Sequence, residues 1–262
     1  MRSRSRVMVI TGAGISAASG IPTYRDDSGT WQRSRPIQHQ EYIRSESCRR
    51  RYWLRSTVGW PAVANADPNS AHRALASLEA AGKLSLLVTQ NVDRLHQRAG
   101  HQNVVDLHGR LDRVICLDCG HIESRESIQQ RLLSHNPSLQ HLQAPLAPDG
   151  DAEVENSMIS TIDDPRCTRC DGIPMPDVVF YGGSVPKPRV AKIQSALEQS
   201  DGLLVVGSSL SVFSAYRFCQ SAHRLGIAIA AVNRGLTRAD ELLSLKVERD
   251  CGETLEWLAA KL

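Results

Sequence analysis

Neither sign of charge dominates this sequence, and long apolar runs are missing from it. The 262 residues carry 31 basic and 28 acidic side chains, a formal net charge of +3. That balance is too even for a partner held mainly by phosphate charge, so no nucleic acid is expected. No uninterrupted apolar window is long enough to span a bilayer, so no membrane partner is expected either. The start "MRSRSRVMVI" is basic, but its apolar run breaks at Gly12, which suits neither a signal peptide nor a long amphipathic transit sequence. The expectation is a soluble, cytoplasmic chain. Internal repeats and low-complexity tracts are also absent, and the length allows one large domain, or one domain carrying a smaller module.

Cysteine is present in a pattern. The count is seven, an odd number, and four fall as "CLDC" (Cys116, Cys119) and "CTRC" (Cys167, Cys170), which is pairing for a metal rather than a secreted disulfide framework. Two C-x-x-C hooks supply the closed tetrahedral thiolate set of one structural Zn²⁺, with no position left open for water or substrate. The hooks lie far apart, with residues 120 to 166 between them, beyond an ordinary zinc ribbon. A redox role for one hook is the alternative, weakened because neither follows a thioredoxin-like strand. Cys48 and Cys219 read as small buried apolar residues.

Short β-branched or leucine-rich runs recur at 6–11, 84–89, 103–107, 202–207, 227–232 and 245–249. Most lack period-two alternation, the mark of strands buried on both faces of a parallel sheet. Helical patterns lie between them: "NSAHRALASLEAAGK" has a polar cap and ends at Gly82, "PRVAKIQSALEQS" opens with Pro188, and "GETLEWLAAKL" closes the chain. Strands alternating with helices predict an α/β doubly wound fold. Residues 32–60 read as helices standing off the sheet. Residues 111–177 hold both hooks around "HNPSLQHLQAPLAPDGDAEVEN", whose Pro, Asp and Gly content reads as a long surface loop.

Polar motifs follow the runs. After the first strand, "GAG" (12–14) permits a tight turn with close backbone approach, and a helix beginning near Ile15 would aim N–H groups at a phosphate. The glycines depart from the G-x-G-x-x-G spacing, so an ordinary glycine turn is as good a reading. "TQNVDRLH" (89–96) puts Gln90, Asn91 and Asp93 at a strand's carboxyl end, where open α/β sheets bind ligands, although Asn91 or Asp93 could simply cap a helix. "DLHG" places His108 just after a strand, a candidate general base among nine histidines. "GSSLSV" and "VNRG" follow two further strands. Each alone could be a capped helix or a turn. Together they put polar residues on four strand ends along one sheet edge.

Taken in order, "GAGISAASGIPTYR", "TQNVDRLH", "LHG", the two hooks, "PDVVFYG", "GSSLSV" and "VNRG" resemble the sirtuins, from about Val7 to Cys251. The motifs are modest singly and specific in their joint order. "RPIQHQEYIRS", "RRRYWLRSTVGWP" and the spacer with "LAPDGD" look like the class II branch. The resemblance implies a Rossmann-like doubly wound parallel sheet (1–31, 60–110, 178–262), a helical insertion (32–59) and a zinc-binding module (111–177) in one sirtuin domain. It implies an NAD-dependent protein lysine deacetylase or deacylase whose partners are acylated lysines of proteins. In that family the acyl oxygen attacks the nicotinamide ribose, nicotinamide leaves, and a histidine base activates a ribose hydroxyl. The products are free lysine, nicotinamide and O-acyl-ADP-ribose.

By the same resemblance His108 is the base, while Asn91 and Asp93 order a ribose-side water and grip the nicotinamide amide, with Val92 between them. Gly12, Ala13, Gly14 and Ser16 form the phosphate cradle, Tyr24 and Arg25 the cofactor loop, and Gln90 a ribose contact. Gly207, Ser208 and Ser209 would meet phosphate or ribose oxygens, Asn233, Arg234 and Gly235 the adenosine ribose, and Cys251 the adenine. Val178, Val179, Phe180, Tyr181 and Gly182 would pair the substrate backbone as an added strand. Gly183 stands where many relatives have an acidic residue. Tyr52 and Arg55, in "YWLR", resemble the Y-x-x-R pair that holds acidic acyl groups, since an arginine can grip a carboxylate with two prongs. The expectation from that pair is a preference for acidic or longer acyl chains. A surface arginine beside a packed tyrosine is the plain alternative.

Two rivals stand beside this reading. The same site would support ADP-ribosyl transfer or plain NAD cleavage. From another class, a zinc-ribbon nucleic-acid adaptor would use "RSRSR" and "CRRRYWLR", and would bind salt-sensitively without NAD.

Overall fold

The computed structural model describes residues 6–24 and 36–261, apart from the side chain of residue 156. Strand β1 (Val7–Thr11) leads into the one-turn helix α1 (Ala13–Ser16). Helices α2 (His39–Arg44), α3 (Glu46–Asn65) and α4 (Ser70–Ala80) precede β2 (Leu84–Thr89), α5 (Leu95–Arg98) and β3 (Val104–Asp106). A second segment holds β4 (Gly109–Cys116), β5 (Ile122–Ser124), α6 (Arg125–His135), the short β6 (Leu146–Ala147) and β7 (Asp151–Ala152), and β8 (Pro174–Val178). The chain returns through α7 (Lys187–Glu198), β9 (Gly202–Val206), α8 (Phe213–Arg224), β10 (Ala228–Val232), β11 (Leu245–Val247) and α9 (Cys251–Ala259).

The six apolar runs of the sequence supply one six-stranded parallel sheet, ordered β11-β10-β9-β1-β2-β3. Every residue of β1 and β9 is buried because the pleat sends alternate side chains to two covered faces. Met8, Ile10, Val88, Leu203 and Val205 pack on one face with Ile193 and Leu197 of α7 and Phe218 of α8. Val7, Val9, Leu87, Leu204 and Val206 pack on the other with Leu75 and Leu78 of α4 and Leu255 of α9. The fold is thus the α/β doubly wound sheet that the sequence pattern predicts. Its order reverses between β1 and β9, so a crevice opens at their carboxyl ends. Helix α4 is fixed to that crevice by a capping box at Asn69, whose amide also donates to the Ile15 carbonyl at 2.7 Å.

Helix α3 continues past residue 59, the expected end of the insertion. Proline disfavours a helix interior because it lacks an N–H and leaves a carbonyl one turn back unbonded. Instead α3 runs through Pro61 to Asn65. The carbonyl freed by Pro61 is that of Thr57, and the Gln129 side-chain amide of α6 donates to it at 2.8 Å. A neighbouring element therefore completes the helix.

The stretch read as a surface loop is also different. Its first residue, His135, ends α6, and the rest includes short helical turns and the β6/β7 hairpin, which lies directly on α3. Leu139, Ala147, Ala152 and Ile162 are buried. Gly59 makes the contact possible, since a Cβ there would come within 2.4 Å of the Asp151 carbonyl oxygen. Trp53, Tyr42, Ile128 and Leu132 share a separate core with Val114 of β4, so insertion and cysteine segment pack as one lobe. Its antiparallel sheet runs β5-β4-β8. No helix among the described residues is long and apolar enough to cross a membrane.

Candidate active site

Between sheet and lobe lies a cavity of about 1050 Å³. The loops after β1 and β9 meet at its floor without side-chain bulk. The Gly14 N–H donates to the Gly207 carbonyl at 2.9 Å, and a Cβ on Gly14 would sit 2.9 Å from that same oxygen. A Cβ on Gly12 would lie 2.7 Å from the Ser208 Cβ, and one on Gly207 2.4 Å from the Ile15 nitrogen. The glycines of the opening motif are therefore required first by the protein's own loop packing. Gly12, Ala13, Gly14, Tyr24, Gly207, Ser208 and Ser209 line the cavity; Arg25 lies outside the described residues.

The β2 end ties these loops together. Gln90 donates to Ser208 Oγ at 2.8 Å and to the Thr11 carbonyl at 3.1 Å. Asn91 donates to the Gly12 carbonyl at 3.1 Å and to Ser16 Oγ at 2.9 Å, and Ser16 in turn donates to Asp93 at 2.7 Å. Burial raises the Asp93 carboxyl above its ordinary pKa. Ser16, Asn91, Val92 and Asp93 line a small recess whose Asn91 and Val92 also border the main cavity. Asp93 precedes the N-cap residue Arg94 of α5 and accepts from Leu95 N–H at 2.9 Å, so its carboxylate serves the helix start as well as the recess.

His108 faces the cavity from the turn between β3 and β4. Its Nδ1 lies 3.0 Å from the Gln90 carbonyl oxygen and its Nε2 2.7 Å from Ser214 Oγ. A carbonyl only accepts, so Nδ1 carries the proton and Nε2 offers a lone pair. Desolvation lowers its pKa to about 4, which leaves the imidazole neutral and able to act as a base at pH 7. Ser214 was not legible as a site residue, because it stands two positions past the "GSSLSV" motif, in the first turn of α8.

Asn233, Arg234 and Cys251 line the same cavity at the β10 and α9 ends. Asn233 donates to the Arg234 carbonyl at 2.7 Å, and Arg234 pairs with Asp250 at 3.3 Å. Gly235, with φ 73°, shapes that turn from behind and is not among the residues bordering the cavity.

Val178, Val179, Phe180, Tyr181 and Gly182 form the opposite rim. Part of this edge is already in use: Val179 N–H donates to the His108 carbonyl at 2.7 Å, and the Tyr181 carbonyl accepts from His39 N–H at 2.8 Å. Gly183 N–H turns back to the Phe180 carbonyl at 2.9 Å. Tyr52 lies in an aromatic cluster with Tyr42, Trp53 and Phe180, and burial pushes its phenol up to about 12. Arg55 is gripped by both carboxylate oxygens of Asp151, at 2.8 and 2.7 Å, and by the Ala152 carbonyl at 3.0 Å. Asp149 stands beside them, open to the cavity but enclosed by protein, and its carboxyl is pushed up to about 7 by desolvation and then by Asp151. These two aspartates of "LAPDGD" went unrecognised as wall residues because the segment read as loop.

The basic run "CRRRYWLR" is committed inside the fold. Arg49 donates to the Tyr42 and Ile43 carbonyls, and Arg50 pairs with Glu46 at 2.7 Å and Asp164 at 3.5 Å. The adaptor reading loses this support.

The four hook cysteines converge, with all four sulfurs within 4.8 Å of one another. Cys116–Cys170 and Cys119–Cys167 are 3.6 and 3.7 Å apart. A tetrahedron with Zn–S of about 2.3 Å has edges of about 3.8 Å, so the set fits one structural zinc ion. Both hooks fold alike: Gly120 N–H returns to the Cys116 carbonyl and Asp171 N–H to the Cys167 carbonyl, each at 3.0 Å, with φ values of 69° and 59°.

With this geometry in hand, comparison with known proteins is direct. Residues 12–214 match the model of the Sir2 family. An NAD-dependent protein deacetylase of Bordetella bronchiseptica is 53% identical over 250 residues, covering 95% of this chain and 91% of that one. A solved Sir2–p53 peptide–NAD+ complex superimposes with a TM-score of 0.77 at 26% identity, over 99% of this chain and 94% of the other. The structure of Sir2Tm bound to a propionylated peptide matches with the same TM-score, identity and coverages of 99% and 94%. The chain belongs to the Sir2 family.

Proposed function

We propose that this protein is an NAD-dependent protein lysine deacetylase, of deacylase type, and assign it to the class II branch on its "LAPDGD" segment. One observation carries the reading: a neutral histidine with an unprotonated Nε2, bonded to Ser214 Oγ at 2.7 Å, shares one cavity with the polar ends of β1, β2, β9 and β10. NAD, when bound, supplies an ADP-ribosyl acceptor for the acyl group and releases nicotinamide. The chain's own residues do the rest. His108 Nε2 takes a proton from a ribose hydroxyl, and its Nδ1–H stays on the Gln90 carbonyl, so the developing charge is held at a fixed point. Asn91 and Asp93 hold the recess wall for a carboxamide, Ser208 and Asn233 offer polar contacts, and the zinc fixes the lobe that closes the cavity.

The acyl expectation divides. Tyr52, Phe180, Ala147 and Pro148 make an apolar wall that supports chains longer than acetyl. An acidic acyl end would have to displace Asp151 from Arg55 beside Asp149, so we favour longer neutral chains over acidic ones. Incubating the protein with NAD and acetyl-, butyryl- and glutaryl-lysine peptides tests both parts. Turnover is expected for the neutral acyl groups and is lost in His108→Ala with NAD binding retained. Absence of turnover on every peptide would refute the reading, and glutaryl as the best substrate would refute the acyl preference.

A further inference from the structure

His108 is held at both ring nitrogens by different elements, Gln90 after β2 and Ser214 in α8. We propose that Ser214 is a positioning residue for His108: its hydroxyl clamps the imidazole against the Gln90 carbonyl in the neutral Nδ1–H form, and yields Nε2 to the incoming ribose hydroxyl. The inference rests on the deacylase reading for its kinetic part. Its structural part stands on geometry.

Among the described residues the Ser214 hydroxyl has no other hydrogen-bond partner. Serine in the first turn of a helix often serves the helix end, but α8 has no side-chain cap, and Ser214 Oγ bonds Nε2 at 2.7 Å. Its mount is rigid, because Ala215, Phe218, Cys219 and Ala222 of α8 are buried under the sheet. One hydrogen bond leaves an imidazole free to swing about it, whereas two opposed bonds fix the ring plane and the lone-pair direction. The charged groups of the packed elements do not substitute for this clamp. Arg189 of α7 caps the Leu107 carbonyl at 3.1 Å and disfavours a charged ring, while Lys187 and Arg217 on the cavity wall are also cationic. The cavity's acids Asp151 and Asp250 are paired with Arg55 and Arg234, and Asp149 lies beside Asp151.

The test compares wild type, Ser214→Ala and Ser214→Thr. Removing the hydroxyl leaves the ring held by the Gln90 carbonyl alone, so nitrogen NMR of Ser214→Ala should show the Nε2 signal of neutral His108 moved toward that of a nitrogen accepting no hydrogen bond. Acyl-lysine turnover should fall about 5- to 20-fold in kcat, with KM for NAD within about twofold. Exchange of labelled nicotinamide into NAD, which precedes the base's step, should stay within about twofold, and Ser214→Thr should restore most of kcat. An unchanged Nε2 signal in Ser214→Ala, or equal losses of exchange and turnover, would overturn the proposal. So would nitrogen shifts of the Nε2–H tautomer in wild type. The NMR arm needs no turnover, so a wild type that fails to deacylate sinks the proposed function while the clamp is still judged by the Nε2 signal and the tautomer.

Discussion

Gly14 and Gly207 interlock: the amide of one donates to the carbonyl of the other at 2.9 Å, and neither position has room for a Cβ. This contact joins the two loops at the point where the strand order reverses, and so builds the crevice floor before any ligand arrives. Gly14→Ala is therefore expected to destabilise the protein without NAD by about 1–3 kcal/mol, as overpacking against backbone does. Urea melts of the ligand-free protein check this. An unchanged midpoint would mean that the glycine serves the cofactor alone.

Gln129 makes Pro61 tolerable in α3. Gln129→Ala leaves the Thr57 carbonyl buried and unbonded, a loss of about 1–3 kcal/mol. Pro61→Ala restores the helix N–H, so the double variant should lose less than Gln129→Ala alone. A double-mutant cycle by denaturant melting measures this coupling, and strict additivity would contradict it.

The buried histidines set a pH dependence. His72 and His108 have pKa values lowered to about 4 by desolvation, and His96 is lowered well below its ordinary value. The folded state holds these rings neutral, so the unfolded chain binds more protons between its own pKa of about 6.5 and the folded values. Their stabilisation is complete above about pH 6.5 and is lost as pH falls toward 4, by up to about 1.4 kcal/mol per pH unit for each ring. Asp149 opposes the trend: its folded pKa of about 7 is raised, so its contribution favours the fold at low pH and fades as pH rises through 7. Urea midpoints between pH 4.5 and 7.5 should fall on the acid side, and Asp149→Asn should steepen that fall. A flat profile in both would contradict the assignment.

Zinc should be structural. One zinc per chain is expected by elemental analysis, and chelation should unfold the lobe, because it removes the ion that joins β4 to the 167–170 hook. Cys119→Ser should lower both metal content and thermal stability. Full stability after complete chelation would contradict this role.

Much of this was legible in the sequence for definite reasons. Strands buried on both faces read as uninterrupted apolar runs, so 7–11, 84–89 and 202–206 stand out without structure. Cap and stop signals at Asn69 and Gly82 bound α4 closely. What could not be read depended on distant partners. Pro61 sits inside α3 because Gln129, 68 residues on, supplies a donor to the carbonyl it leaves unbonded (129 − 61). "LAPDGD" has loop chemistry, and only Gly59 on α3 shows that it packs. Ser214 belongs to no strand-end motif, and its meaning comes from the ring of His108. Arg55 has the spacing of an anion-binding arginine, but Asp151 arrives from across the lobe to occupy it.

The central claim is that this cavity couples NAD cleavage to loss of an acyl group from lysine. Counting nicotinamide released against acyl groups removed from one peptide tests it most directly. The account predicts one of each per turnover, with peptide turnover lost in His108→Ala; nicotinamide released without matching acyl loss, or acyl loss without NAD, would contradict it.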